Sequence, residues 1–288
     1  MNEPVYLRPR KLDEAVHALA EWSDRGRILA GGTDLLIAMR RGTVRPDAIL
    51  DITCLDELRG IHRQDDFVYI GSLTTHGEIR HSADLACWAP ALVDACREVG
   101  SVQIRNLGTL GGNLGNASPA GDALPVLYVL DAEVRLLNLT GDRWLPVADY
   151  FIGPGRSLRR PDEIITGVRF RPFDGKWISF FQKIGQRRAL CVAKVSAAGG
   201  LRLEGDLILD CRLALGAVAP TVIRLQQAEE SLIGSQLTGD SIRRAAQHAA
   251  QACTPINDIR STIDYRRAMA GVLIRQGLEK IYNEVKYG

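Results

Sequence analysis

Two stretches of this chain bare backbone among short polar side chains. In GSVQIRNLGTLGGNLGNASPAGDALP, residues 100–125, Gly108, Gly111, Gly112, Gly115 and Gly121 remove side chains while Thr109, Asn113, Asn116, Ser118 and Asp122 offer small polar groups. Such a segment can wrap a polar ligand closely, and glycine costs ordering entropy wherever it is fixed. The second stretch is Gly31-Gly32-Thr33-Asp34, between a strand pattern and a helix pattern. Consecutive free amides at a helix start can hold a phosphate. Asp34 would repel that phosphate, so its side chain is read as a helix cap turned away. The alternatives are an irregular surface loop, or strand bulges, for 100–125 and an ordinary glycine-rich turn for 31–34. Neither stretch continues into Gly-Lys-Ser/Thr, and neither has a strict G-x-G-x-x-G with a partner acid, which excludes a P-loop and argues against a Rossmann site.

The elements that must position these residues follow from periodicity. Leu12, Ala15, Val16, Leu19 and Trp22 recur at helical spacing, which predicts an amphipathic helix over 12–22. A strand over 27–30, the glycine turn, a helix over 35–41 and a strand over 48–52 make a small α/β unit, whose helical crossover implies parallel pairing. A second unit over 56–175 contains a strand at 67–71, a helix at 89–99 running straight into the glycine-rich loop, and a short buried helix at 124–130. A hairpin (133–139 with 143–146) and a strand at 163–170 complete it. From residue 176 the pattern becomes strands (177–184, 191–198, 207–217) and then helices (223–233, 241–252, 262–281), the signature of an α+β domain.

Composition sets limits on partners. The 288 residues are 46% hydrophobic and 24% charged, as in a globular protein with a sizeable core. Lys and Arg total 36 against 34 for Asp and Glu, so net charge gives no reason to expect nucleic acid or an anionic membrane. No apolar run approaches the roughly 20 residues of a membrane span, and the first residues lack a secretory apolar core, so the expected location is the cytoplasm. Cys54, Cys87, Cys96, Cys191, Cys211 and Cys253 are scattered, with no CxxC pair and no Cys/His cluster. They are expected to be reduced, buried thiols, and no metal ligand set is expected in this chain.

With both glycine stretches placed, the chain resembles the FAD-binding medium subunits of the molybdenum hydroxylases. The resemblance rests on ILAGGTDLL (28–36), QIRNLGTLGGNLGNASPAGDALP (103–125), FQKIGQRRALCVAKVSAA (181–198), LALGAVAPTVIR (213–224) and DIRSTIDYRR (258–267). It implies an α+β chain: a two-subdomain FAD-binding fold of the PCMH type, at 1–55 and 56–175, clasping FAD between its subdomains, followed by a C-terminal α+β domain at 176–288. Carried over by motif, Arg27, Ile28, Leu29, Ala30, Gly31, Gly32, Thr33 and Asp34 would hold the FAD pyrophosphate. Thr109, Leu110, Gly111, Gly112 and Asn113 would form a second clamp. Asp122, in ASPAGD, matches the family's acidic flavin contact, Ser118 of the same segment is carried over as cofactor-binding, and Ile165 and Lys183 match further positions lining the flavin. Val99 is carried over although related chains differ there. On spacing alone Lys183 reads as a solvated surface lysine, and Arg187 and Arg188 as a solvated face or a contact for an acidic partner or a nicotinamide phosphate.

The same resemblance implies partners. A large subunit would carry the molybdenum cofactor and a small one [2Fe–2S] clusters, in a dimer of heterotrimers, with electrons collected on FAD here and passed to NAD or another acceptor. No general acid or base is assigned in this chain, because the hard chemistry belongs to the cofactors. No histidine lies within either glycine stretch, so noncovalent FAD is expected. The absence of a cysteine-bearing insertion argues against an extra cluster. Gly111→Val and Gly112→Val are both expected to lose flavin while the chain stays folded. The competing readings are a free-standing FAD oxidase or dehydrogenase, for which no base over the flavin can be placed, and a flavin-free assembly protein, against which the intact glycine pattern argues.

Overall fold

The computed structural model describes residues 3–187 and 190–287. In chain order the elements are β1 (Val5–Leu7), α1 (Leu12–Trp22), β2 (Gly26–Leu29), α2 (Leu35–Arg40), β3 (Ala48–Asp51), β4 (Ile61–Gln64), β5 (Phe67–Gly71), α3 (His76–His81), α4 (Ala83–Trp88), α5 (Pro90–Glu98), α6 (Val102–Leu107), α7 (Leu110–Asn116) and α8 (Leu124–Val129). They continue with β6 (Glu133–Asn138), β7 (Gly141–Pro146), α9 (Val147–Tyr150), β8 (Phe151–Gly153), β9 (Arg156–Ser157), β10 (Ile164–Phe170), β11 (Trp177–Ile184), β12 (Val195–Glu204), β13 (Leu207–Gly216), β14 (Ile223–Arg224), α10 (Gln226–Leu232), α11 (Gly239–Ala252) and α12 (Ile263–Tyr287). Two compact units interleave along the sequence. One consists of Met1–Glu78, Val102–Ala117 and Ala132–Arg171, the other of Ile79–Ser101, Ser118–Asp131 and Pro172–Gly288.

In the first unit β3 is the middle of a three-stranded parallel sheet, order β1-β3-β2, and is buried along its whole length because it pairs on both sides. The apolar stripe of α1 (Ala15, Val16, Leu19) packs into one core with Leu50, Ile52 and Ile164. A five-stranded antiparallel sheet follows, order β4-β5-β10-β6-β7. Val134, Leu136, Val168 and Phe170 are buried on it, as period-2 patterning requires.

The second unit is built on the antiparallel sheet β11-β12-β13-β14 with α10, α11 and α12 over its apolar face. Phe180 is closely confined from two sides: a Cβ at Gly199 or at Gly277 would lie 2.4 or 2.2 Å from its ring. Those glycines let β12 and α12 close on the ring.

Three expectations need correction. Residues 100–125 are not one loop, because α6 and α7 form within them. Thr109 caps α7 by accepting from Gly112 N at 2.9 Å, so Gly111, Gly112 and Gly115 sit in a capped helix. The strand expected from 191 begins only at Val195, after the turn that leaves β11. The helix expected over 223–233 begins at Gln226, since Ile223 and Arg224 pair with Leu215 and Ala214 as an edge strand.

Candidate functional site

In the first unit β2 delivers Arg27, Ile28 and Leu29 and then Ala30 into the glycine turn. Ile28 and Ala30 pack against the core that contains Leu50 and Ile164, which fixes the turn's root. A Cβ on Gly31 would lie 1.9 Å from the Leu107 carbonyl oxygen, and Gly32 has φ +71°, so glycine is needed at both for backbone reasons. Among the described residues, the amides of Gly31, Gly32, Thr33 and Asp34 find no acceptor within the chain. Arg27 is held from behind, its Nη1 donating to the carbonyls of Asp24 (2.6 Å) and Gly26 (2.8 Å). Asp34 occupies the N-cap position of α2 but its side chain makes no cap bond, contrary to expectation. It lies instead 3.5 Å from the Thr33 hydroxyl.

The second glycine stretch is different in kind. The amide of Leu110 donates to Thr74 O (3.0 Å), that of Gly111 to Ser72 O (2.8 Å), and that of Asn113 to Thr109 O (3.0 Å). With Gly112 bonded to Thr109 Oγ1, none of these four amides is bare, which corrects the sequence-based picture. A Cβ on Gly111 would lie 2.5 Å from Ser72 Cβ, so this glycine lets α7 pack against the turn that follows β5. What stays open is side-chain chemistry. Asn113 Oδ1 and Ser72 Oγ are buried without a partner, and a Cβ built on Gly115 would lie 3.6 Å from Ile165 Cδ1, in ordinary contact. An acceptor oxygen beside an apolar wall fits a ligand that carries hydroxyls on one part and an apolar ring on another, as FAD does.

Sequence reasoning missed His76. The chain from Ser72 to His76 runs alongside 108–111, and the His76 ring comes within 3.4 Å of where a Gly108 Cβ would be. Burial, with the Arg105 charge, pushes its pKa down to about 4, so it is neutral at physiological pH. A histidine 32 residues before Gly108 in sequence left no local signal.

The second unit holds Val99, Ser118, Asp122 and Lys183. Val99 follows the last turn of α5 in extended backbone. The Ser118 hydroxyl accepts from Ala120 N and its carbonyl from Gly121 N, which shapes the turn that presents Asp122. Lys183 is not a solvated lysine: its side chain is 4% exposed, and Nζ reaches Asp122 Oδ2 at 2.6 Å and Glu98 O at 2.9 Å. Burial pushes the Asp122 carboxyl up to about 6; Lys183 opposes that shift and Glu98 adds to it. Asp122 Oδ1 is buried and unpartnered. Beside this pair opens a cavity of about 470 Å³ lined by Arg97, Glu98, Phe181, Lys183, Arg187 and Cys191, among others. Arg187 stands at its edge, donating to Leu190 O at 3.0 Å; Arg188 lies outside the described residues.

Among the described residues no cluster of His, Cys, Asp and Glu could hold a metal ion, and no helix is long and apolar enough to cross a membrane. The cysteines are free, but Cys54 and Cys87 are exposed and Cys191 half-buried, so only Cys96, Cys211 and Cys253 are the buried thiols expected.

Residues 1–172 match the family described as FAD binding domain in molybdopterin dehydrogenase, and residues 180–281 match CO dehydrogenase flavoprotein C-terminal domain. The chain belongs to the FAD-binding medium subunits of the molybdenum hydroxylases. It is 33% identical to the glyceraldehyde dehydrogenase medium chain of Sulfolobus acidocaldarius, covering 96% of this chain and 97% of that one. With the nicotinate dehydrogenase FAD-subunit of Eubacterium barkeri it shares 34% identity over 96% and 92% of the two chains. Among solved structures, a chain of carbon monoxide dehydrogenase from Hydrogenophaga pseudoflava superposes with a TM-score of 0.94 at 29% identity, covering 98% of each. The fold is therefore the expected α+β one, an FAD-binding domain followed by the C-terminal domain of this family, and the chain is an oxidoreductase subunit.

Proposed function

We propose that this medium subunit takes electrons from [2Fe–2S] clusters of a small partner subunit and passes them to NAD or another acceptor. The substrate would be oxidised at the molybdenum cofactor of a large subunit, in a dimer of heterotrimers in the cytoplasm. Bound FAD supplies the exchange between single-electron donors and a two-electron acceptor. The observation that carries the reading is the run of unsatisfied amides at Gly31, Gly32, Thr33 and Asp34. Four N–H groups suit a pyrophosphate, and Arg27 is proposed beside it on the strength of the shared motif. Asn113 Oδ1 would accept from a hydroxyl of the cofactor, and Ile165 would give an apolar wall. Thr109, Leu110, Gly111 and Gly112 would act by shaping the helix that carries Asn113. Val99, Ser118, Asp122 and Lys183 are proposed as flavin contacts on the strength of the shared motifs. The cavity beside Lys183 would admit the acceptor. The division at 1–55, 56–175 and 176–288 belongs to the same proposal, as does noncovalent attachment.

The test is an absorbance spectrum of the purified chain before and after denaturation, with mass analysis of what is released. Flavin bands, with FAD freed on denaturation and no iron–sulfur absorbance, support the reading. A chain that stays colourless after incubation with FAD rules it out, and flavin that remains on the denatured chain rules out noncovalent attachment.

A further inference from the structure

Arg266, at the start of α12, is 4% exposed, and its guanidinium joins three separate segments. Nη1 donates to Lys194 O at 2.8 Å and to Ala217 O at 2.7 Å, while Nη2 donates to Asp258 Oδ1 at 2.8 Å. Lys194 is the base of the segment between β11 and β12, its amide bonded to Ile184 O at 2.8 Å. Its ammonium sits 5.3 Å from the ring of Tyr265, the neighbour of Arg266. Arg187 and Cys191, on that same segment, line the cavity beside Lys183, and Cys191 Sγ lies 3.1 Å from Arg187 O. Its Nε is buried without a partner among the described residues, so the guanidinium depends on these three bonds, and it holds the segments they join in one arrangement. Asp258 is itself fixed, accepting from Arg260 N (2.9 Å) and Ser261 N (3.0 Å).

We infer that Arg266 is a positioning residue for the rim of this cavity: latched to Asp258 and Ala217, it holds Lys194 and so sets where Arg187 and Cys191 stand. The consequence for turnover rests on the proposed reading of the cavity as the acceptor's entrance. Arg266 is neither among the residues proposed to hold flavin nor among those lining the cavity. Loosening the latch should therefore alter access while leaving the flavin in place.

The experiment compares wild type with Arg266→Ala, Arg266→Lys and Asp258→Ala, in the full chain and in the assembled complex. Hydrogen exchange in peptides spanning 185–194 should accelerate about tenfold or more in Arg266→Ala and Asp258→Ala, with 207–216 unchanged, and Arg266→Lys should recover part of the protection. In stopped flow, the dithionite-reduced complex is reoxidised by NAD or by dichlorophenolindophenol. The half-saturating acceptor concentration should rise about tenfold, equivalent to about 1.4 kcal/mol, while reoxidation by dioxygen keeps its rate. Unchanged exchange at 185–194 in folded Asp258→Ala overturns the latch, and so does a uniform rise across the unit. Should Arg266→Ala not fold, Asp258→Ala decides alone. Faster exchange with unaltered acceptor saturation leaves the latch standing and overturns the reading of the cavity.

Discussion

The Nζ of Lys183 lies 2.6 Å from Oδ2 of Asp122, with the two side chains only 4% and 8% exposed. This pair ties β11 to the turn before α8, and through Glu98 O it also closes the last turn of α5. Removing one member leaves the other charge buried without a counterion. Lys183→Met and Asp122→Asn are each expected to lower stability by about 3–5 kcal/mol, and the double variant by less than the sum. Urea midpoints of the four proteins check this; additive losses would mean the two groups do not depend on each other.

Acid should act oppositely on the two units. Asp122 has its folded pKa raised to about 6, above the ordinary 3.8, so its contribution is fully present below the ordinary value and is lost as pH rises through 6. His76 has its folded pKa lowered from 6.5 to about 4, so its contribution is present above 6.5 and lost as pH falls towards 4. Between pH 6.5 and 4 the two slopes have opposite signs and similar size. Hydrogen exchange, corrected for its intrinsic pH dependence, should show peptides around 72–78 opening on acidification while those around 118–131 tighten. His76→Gln should abolish the first response only, and parallel behaviour of both regions would contradict the assignment.

The difference between these groups and the glycine turn explains what could be read from sequence. Gly31 and Gly32 stand between a strand and a helix within a dozen residues, and both patterns are local, so the turn and its parallel strands were legible. The amides of Leu110 and Gly111 are satisfied by Thr74 and Ser72, from just past the end of a strand far earlier in the chain, so the bare backbone suggested by the glycines was not there. Lys183 and Asp122 are 61 residues apart, and nothing near either announces the other. Only motif likeness singled them out, and only the fold shows that they are each other's partners. The interleaving of the two units is equally non-local.

The glycines of the candidate site should therefore separate into two kinds. Gly31→Ala and Gly111→Ala would drive a Cβ into backbone or into a residue of the turn after β5, at 1.9 Å from Leu107 O and 2.5 Å from Ser72 Cβ. Both should destabilise the first unit, by about 1–3 kcal/mol, and lose flavin as a consequence. At Gly112 the Cβ would meet only Thr109 Oγ1, at 3.0 Å, so Gly112→Ala should stay within about 1 kcal/mol of wild type. Gly111→Val should therefore not spare the fold, and Gly112 is the position at which flavin binding can be tested in a folded chain. Thermal unfolding of the apo chains, followed by FAD titration, distinguishes the two kinds. A Gly111→Ala chain as stable as wild type would contradict the packing argument.

The clearest steric prediction lies at Phe180. Replacing Gly277 by alanine in the middle of α12 should by propensity alone stabilise the helix by about 1 kcal/mol. Its Cβ, however, would stand 2.2 Å from an edge atom of the Phe180 ring, which Gly199 already confines from β12. A ring fully excluded from solvent and held by a strand and a helix has no rotamer into which to retreat. Overpacking therefore wins, and Gly277→Ala should cost about 1–3 kcal/mol net. Shrinking the ring should relieve it: Phe180→Leu is destabilising in the wild-type background, yet in the Gly277→Ala background it should cost less or restore stability. Chemical denaturation of the four variants gives the coupling, and a coupling near zero would mean that α12 shifts to accommodate the methyl group without pressing on the ring.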